Sequence, residues 1–206
     1  VTGVASPPLA AALARSALVA DALELAREAH AGQVRNGSGG MPYIEHPQAV
    51  AALLAEHGFG DEILAAALLH DVVEDSETTV EELQQRFGEP VAGLVSTLSD
   101  DESIEDYRER KEEHRGRVAA ANGDAFAIYG ADKLTNVTML RCTYAEQGEA
   151  VGDEFNVPLD LKLEVWDADR ELLSREAPEL PFLAELGAEL SRFRADRAAA
   201  APRPGT

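Results

Sequence analysis

The sequence predicts an all-α fold. Apolar residues recur at steps of three and four along most of the chain, as a helix face requires. Glycine and proline gather between those periodic stretches rather than inside them. The core residues on offer are Leu, Ala and Val, with aromatics at only 5%, a composition that favours helices. At 206 residues the chain suits one domain with a single sizeable core. That domain is expected over 1–197, with 198–206 a low-complexity, mobile tail.

Taken in order, Pro7 and Pro8 open a first helix. Leu18, Ala22, Leu25, Ala26 and Ala29 then mark an amphipathic stretch to about Gly32. Gly37-Ser-Gly-Gly40 is a flexible loop, after which Pro47 suits the first residue of a helix ending near Gly58. Asp61 can cap the next helix, whose residues from Ile63 to Leu69 are apolar on every side. That helix must be wrapped all round, and it is too short to span a membrane. Thr78 or Thr79, followed by Glu81 and Glu82, caps a short helix to Phe87. Gly88-Glu-Pro90 breaks it, and Val91 to Leu98 form another. Residues 99–117 read as a solvated helix laced by i,i+4 pairs, with a minority of arginines free to face an anion. A helix from Gly123 to about Tyr144 and two more, near 157–175 and 179–196, complete the chain.

The formal net charge of −20 argues against nucleic acid or an anionic membrane surface as partner. One cysteine, Cys142, excludes an intrachain disulfide and fits a reducing compartment. With no signal peptide in the first thirty residues and no stretch long enough for a membrane span, the expected location is cytoplasmic. Acidic surface helices permit a homo-oligomer without demanding one.

Chemistry concentrates at the end of the greasy helix, in His70-Asp71-Val-Val-Glu74-Asp75. Carboxylates crowded there repel one another and lose hydration, and a bound cation is the simplest remedy. A His-Asp pair is common by chance, and a Glu-Asp cluster is ordinarily a solvated helix end. The assignment therefore depends on partners elsewhere. His46, just ahead of a helix, and Asp132, inside one, supply them. Two imidazoles and two carboxylates form a mixed nitrogen–oxygen shell suited to Mn²⁺ or Fe²⁺, with Zn²⁺ an alternative. The absence of thiolates argues against structural zinc.

His30-x-Gly-Gln33-x-Arg35, Pro42-Tyr-Ile-x-His46-Pro47, Ala66-Ala-Leu-Leu-His70-Asp71-Val-Val-Glu74-Asp75 and Ala131-Asp132-Lys-Leu-x-Asn136 follow one another in this order. Together they resemble the hydrolase domain of the RelA/SpoT alarmone enzymes, a branch of the HD phosphohydrolases, over about residues 20–175. The resemblance implies an HD-domain helical bundle and a small alarmone hydrolase that removes the 3′-diphosphate of (p)ppGpp as pyrophosphate, leaving GDP or GTP. It implies one Mn²⁺ on His46, His70, Asp71 and Asp132, with Glu74 and Asp75 positioning and deprotonating the attacking water. Arg35, Tyr43, Lys133 and Asn136 would line the nucleotide pocket, Arg35 either stacking on a purine or gripping a phosphate.

Two positions depart from the family pattern. Asn36 and Tyr129 stand where many relatives carry lysine. Both changes remove positive charge near a polyphosphate. They keep open an HD phosphatase for another nucleotide (ppApp, NADPH or a nucleoside monophosphate), and beside it a silent nucleotide-binding module. Of the remaining histidines, His57 reads as a surface or capping residue and His114 as solvated. His30 reads as a brace for the metal site or a packed core residue. Trp166 reads as core.

Overall fold

Helix α4, Asp61–Leu69, lies at the centre of the molecule, and the other helices are arranged around it. The computed structural model describes residues 6–121 and 123–200. Leu64 to Leu69 are all buried. They are enclosed by α2 (Ala17–Ala29), α3 (Glu45–Glu56), α7 (Glu89–Leu98) and α9 (Gly123–Gln147). Burying each leucine is worth about 1.5–3 kcal/mol, so the all-round apolar pattern of this segment is satisfied by all-round packing. Around this centre, α1 (Pro7–Arg15) rests on α2 and α3, and α6 (Val80–Phe87) pairs with α7. Helix α8 (Tyr107–Ala120) packs on α7, α9 and α10 (Leu159–Glu176). Helix α11 (Leu183–Ala200) closes over α9 and α10. No strand occurs among the described residues, and none of their helices is long and apolar enough to cross a membrane.

Local signals were mostly honoured, with instructive exceptions. Thr79 and Glu82 form a reciprocal capping box on α6. Ser16 adopts an extended conformation and separates the first helix, α1, from the amphipathic helix α2. Gly60, not Asp61, caps α4, and the Asp61 carboxylate instead accepts from Arg15 at 2.5 Å. Helix α3 begins at Glu45, which places Pro47 at its third residue, where no intrahelical N–H is required. Helix α4 stops at Leu69, and a single turn, α5 (Val72–Asp75), carries the acidic cluster. His70 and Glu74 therefore do not lie on one continuous helix. Gly148 and Gly152 fall in a 3-10 segment, Gly148–Glu154, that ends α9. Of the expected tail at 198–206, residues 198–200 instead continue α11, and positions 201–206 lie outside the described residues.

Helix α9 is more deeply buried than its amphipathic pattern suggests. Ala125 to Leu134 are buried without interruption, Asp132 and Lys133 included. Gly130 makes room for this: a Cβ there would stand 3.0 Å from Phe182 and 3.3 Å from Leu173, both of them fully buried. Overpacking at such a site costs about 1–3 kcal/mol. Gly130→Val is therefore expected to lower the unfolding free energy by about that amount in urea titrations, despite valine's better helix propensity. Unchanged stability would mean that Phe182 can move aside.

Candidate metal centre

The first turn of α3, the end of α4 and the middle of α9 aim polar side chains at one buried point. His46 is fully buried, and its Nε2 lies 3.0 Å from Asp132 Oδ1. His70 Nε2 lies 3.7 Å from the same oxygen. One ligand atom from each of His46, His70 and Asp132 falls within 4.8 Å of the other two. Asp71 borders this trio, with Oδ1 3.2 Å from His70 Nε2 and Oδ2 3.8 Å from His46 Nε2. The four expected ligands thus converge, with three forming the tight cluster and Asp71 at its edge.

The donor chemistry fits a divalent cation. His70 Nδ1 lies 2.7 Å from the Ala67 carbonyl. A proton on Nδ1 satisfies that contact and leaves the Nε2 lone pair for the cluster. His70 Nε2 and both ring nitrogens of His46 are buried without a hydrogen-bond partner. The His46 contact to Asp132 is close but lacks hydrogen-bond geometry. Buried nitrogens left in this state are costly, and a cation accepting the two Nε2 lone pairs would remove the cost at those atoms.

Electrostatics agree. Burial, reinforced by Arg35, lowers His46 to about 4. Burial also opposes a proton on His70, but Asp71 and Asp132 outweigh it and raise the imidazole to about 9. Burial likewise disfavours an ionised Asp71, yet His70, Arg35 and His46 hold it near 2. Asp71 and Asp132 thus favour positive charge at His70, the charge a divalent ion would bring to the same point.

A second layer fixes the carboxylates. Arg35 Nη2 donates to Asn136 Oδ1 at 2.7 Å, and Asn136 Nδ2 donates to Asp132 Oδ1 at 2.7 Å. Tyr43 Oη donates to Asp71 Oδ2 at 3.0 Å, and the Arg35 guanidinium lies 4.8 Å from the Tyr43 ring centre. Arg35 and Tyr43 are brought together by backbone hydrogen bonds, Arg35 N to Met41 O and Tyr43 N to Gln33 O, which close the glycine-rich loop. Gly37, at φ 73°, turns that loop against Phe155. His30 stacks on Tyr43 with ring centres 4.5 Å apart and bonds Gln33 through Nδ1, so it braces the layer from behind. Lys133 reaches Asp132 Oδ2 at 2.7 Å and lies over the Tyr129 ring, behind the cluster and away from the pocket wall. Glu74 accepts the Asp100 backbone N–H at 2.7 Å, while Asp75 is exposed at the pocket mouth. Burial, then Asp71 and Asp100, raise the Glu74 carboxyl to about 8.

Beside the cluster opens a cavity of about 440 Å³ lined by Arg35, Tyr43, Asn136, Phe155, Lys162 and Trp166 among others. Sequence reasoning missed Lys162. Its ammonium lies 4.2 Å from the Phe155 ring centre and 5.7 Å from that of Trp166. Burial, then Lys111, Arg35 and Lys133, lower it to about 7. Its i,i+4 spacing to Trp166 on α10 was the available signal. Trp166 is core, as expected, but also forms part of the wall.

A family model described as an HD domain matches residues 22–155. The chain is 39% identical over 156 residues to a guanosine-3′,5′-bis(diphosphate) 3′-pyrophosphohydrolase of Aquifex aeolicus, covering 73% of this chain and 22% of that protein. It is 38% identical to the pyrophosphohydrolase MESH1 of Danio rerio, covering 62% of this chain and 72% of that protein. Thus the chain spans about a fifth of the length of the first relative and most of the second. Among solved structures, a metazoan ortholog of SpoT reported to hydrolyse ppGpp superimposes with a TM-score of 0.69 at 27% identity, covering 87% of this chain and 96% of that one. The lmo0812 protein of Listeria monocytogenes gives a TM-score of 0.66 at 29% identity, with coverage of 72% and 99%.

Mn²⁺ added to chelator-stripped protein is expected to raise Tm, by about 2.7 kcal/mol of stabilisation at a hundred-fold excess over Kd. His46→Ala should abolish the shift; a shift that survives places the ion elsewhere. Glu74 supplies a second test. Its folded pKa lies above the ordinary 4.5, so the unfolded chain releases this proton first. The Glu74 contribution to stability is therefore full below about 4.5 and is lost as pH rises towards 8. Thermal melts of metal-free Glu74→Gln should fall less between about pH 5 and pH 8 than those of the unaltered protein. Parallel curves would contradict this.

Proposed function

The chain belongs to the HD domain family, and we propose that it is a Mn²⁺-dependent hydrolase that removes the 3′-diphosphate of (p)ppGpp as pyrophosphate. The observation that carries this reading is the convergence of His46, His70, Asp71 and Asp132 beside a nucleotide-sized cavity. Two imidazoles with carboxylate oxygens suit Mn²⁺, with Fe²⁺ next. Held there, a divalent ion supplies Lewis acidity, lowering the pKa of water and offsetting phosphate charge.

The remaining work falls to the chain's own groups. Glu74, kept basic by its buried setting, takes the proton of the attacking water. The water oxygen bonds to the phosphorus carried on the 3′ oxygen. The bond from that phosphorus to the 3′ oxygen breaks, pyrophosphate leaves, and the 3′ oxygen takes up a proton. Asp75, at the mouth, helps to position the water. Its carbonyl is braced by Gln33 Nε2 at 2.8 Å. Arg35, anchored by Asn136 and lying over Tyr43, presents a guanidinium face to base or phosphate. Lys162 meets the remote phosphates; burial and the neighbouring cations hold it down to about 7, and a nearby anion would favour its charged form. Lys133 serves the substrate indirectly, by holding Asp132.

Asn36 on the pocket wall supports a second reading, an HD phosphatase for a less highly charged nucleotide. One assay separates the two. The protein is incubated with ppGpp, ppApp, NADPH and dGMP, with and without Mn²⁺, and the products are identified. GDP and pyrophosphate from ppGpp support the proposal; orthophosphate from NADPH supports the second reading. No turnover of any of them would leave a nucleotide-binding module. Glu74→Ala is expected to retain the ion yet lose about 100-fold or more in kcat. Turnover at the normal rate would remove Glu74 from the mechanism.

A further inference from the structure

The charge run at 99–117, expected to be solvated and paired along its own helix, is used differently. Only Arg117 and Glu113 form an i,i+4 pair among its described ion pairs. Arg110, Lys111, His114 and Arg117 occupy one stripe of α8, and all four turn onto the segment that follows α7. Arg117 donates to the carbonyls of Ser96 and Ser99 at 3.1 and 2.7 Å. Arg110 donates to the Ile104 carbonyl at 2.8 Å. Lys111 bonds Asp100 Oδ2, and His114 Nδ1 lies 2.8 Å from Asp100 Oδ1. His114 is buried and set edge-on against Tyr129, which corrects its expected solvation. The carboxylate at the centre of this grip belongs to the residue whose backbone N–H is donated to Glu74.

Glu74 needs such a support. It stands on a single turn, α5, which is too short to be stable alone. We propose that the basic stripe of α8 is a mount for Glu74: Lys111 holds Asp100, with His114 packed against the other carboxylate oxygen, so that the Asp100 amide orients the Glu74 carboxylate, which makes Lys111 a positioning residue for hydrolysis. The low pKa of Asp100, held down against its burial by His114 and Lys111, accords with a permanently ionised anchor. The catalytic part of this inference rests on the hydrolase reading above; the clamp itself does not.

The test compares Lys111→Met, Lys111→Arg and the outward-facing control Arg108→Met. Lys111→Met is expected to lower kcat about ten-fold or more with KM and bound metal nearly unchanged, since small misplacements of a reacting group carry large penalties. Lys111→Arg should restore most of the rate, and Arg108→Met should match the unaltered protein. In a Glu74→Ala background, Lys111→Met should cause no further loss. Multiplying losses, or an unaffected kcat, would overturn the inference. Hydrogen exchange of the Asp100 amide provides a readout independent of substrate, and Lys111→Met should accelerate it at least about ten-fold. If the unaltered protein does not cleave ppGpp, the hydrolase reading fails while this exchange experiment still decides the clamp. Should Lys111→Met fold poorly, Lys111→Gln carries the same expectations, and an unchanged exchange rate in it would count against the mount.

Discussion

The Nε2 atoms of His46 and His70, neither with a hydrogen-bond partner, and the carboxylates of Asp71 and Asp132 share one buried point, and much of the surrounding structure serves that arrangement. Like charges in a water-poor site repel, and polar groups removed from water need partners. Burial keeps the His46 imidazole neutral, whereas Asp71 and Asp132 favour positive charge at His70. The fold maintains the arrangement by enclosing two of the three helices that carry the site. Helix α4 is surrounded by α2, α3, α7 and α9, and the first half of α9 is buried without a break.

Around that point the groups form tiers rather than a simple list of ligands. Asn136 and Lys133 each take one oxygen of Asp132, and Tyr43 takes one of Asp71. Arg35 connects the two sets through Asn136 and Asp71. Outer partners of this kind set the orientation of metal ligands. They also bear on how so acidic a chain would accommodate the proposed polyphosphate substrate. The net charge of −20 belongs to the molecule as a whole, while the cavity gathers Arg35 and Lys162.

Much of this was legible in the sequence. The unbroken apolar run of α4 specified a wrapped helix, and the capping box at Thr79 was readable as written. That His46, His70, Asp71 and Asp132 would come together was expected from residue type, order and the family resemblance, and the four do lie side by side. Less legible features depended on three-dimensional neighbours. The stop at Leu69 has no glycine or proline to announce it, and Ser16 breaks a helix without the usual signals. His114 looked solvated because its sequence neighbours are charged, yet its spatial neighbours are Asp100 and Tyr129. Lys162 sits on a helix of ordinary amphipathic pattern, and only the packing of Phe155 and Trp166 shows that it faces the cavity. Local pattern reports which face is apolar. It does not report what an opposing element brings to the other face.

The central claim is that a single divalent ion is held where these side chains meet. Crystals grown with Mn²⁺ and measured at the manganese absorption edge address it directly. The account predicts one strong anomalous peak bounded by Nε2 of His46, Nε2 of His70 and the carboxylates of Asp71 and Asp132. No peak at that position, or a peak elsewhere with both imidazoles unligated, would contradict it.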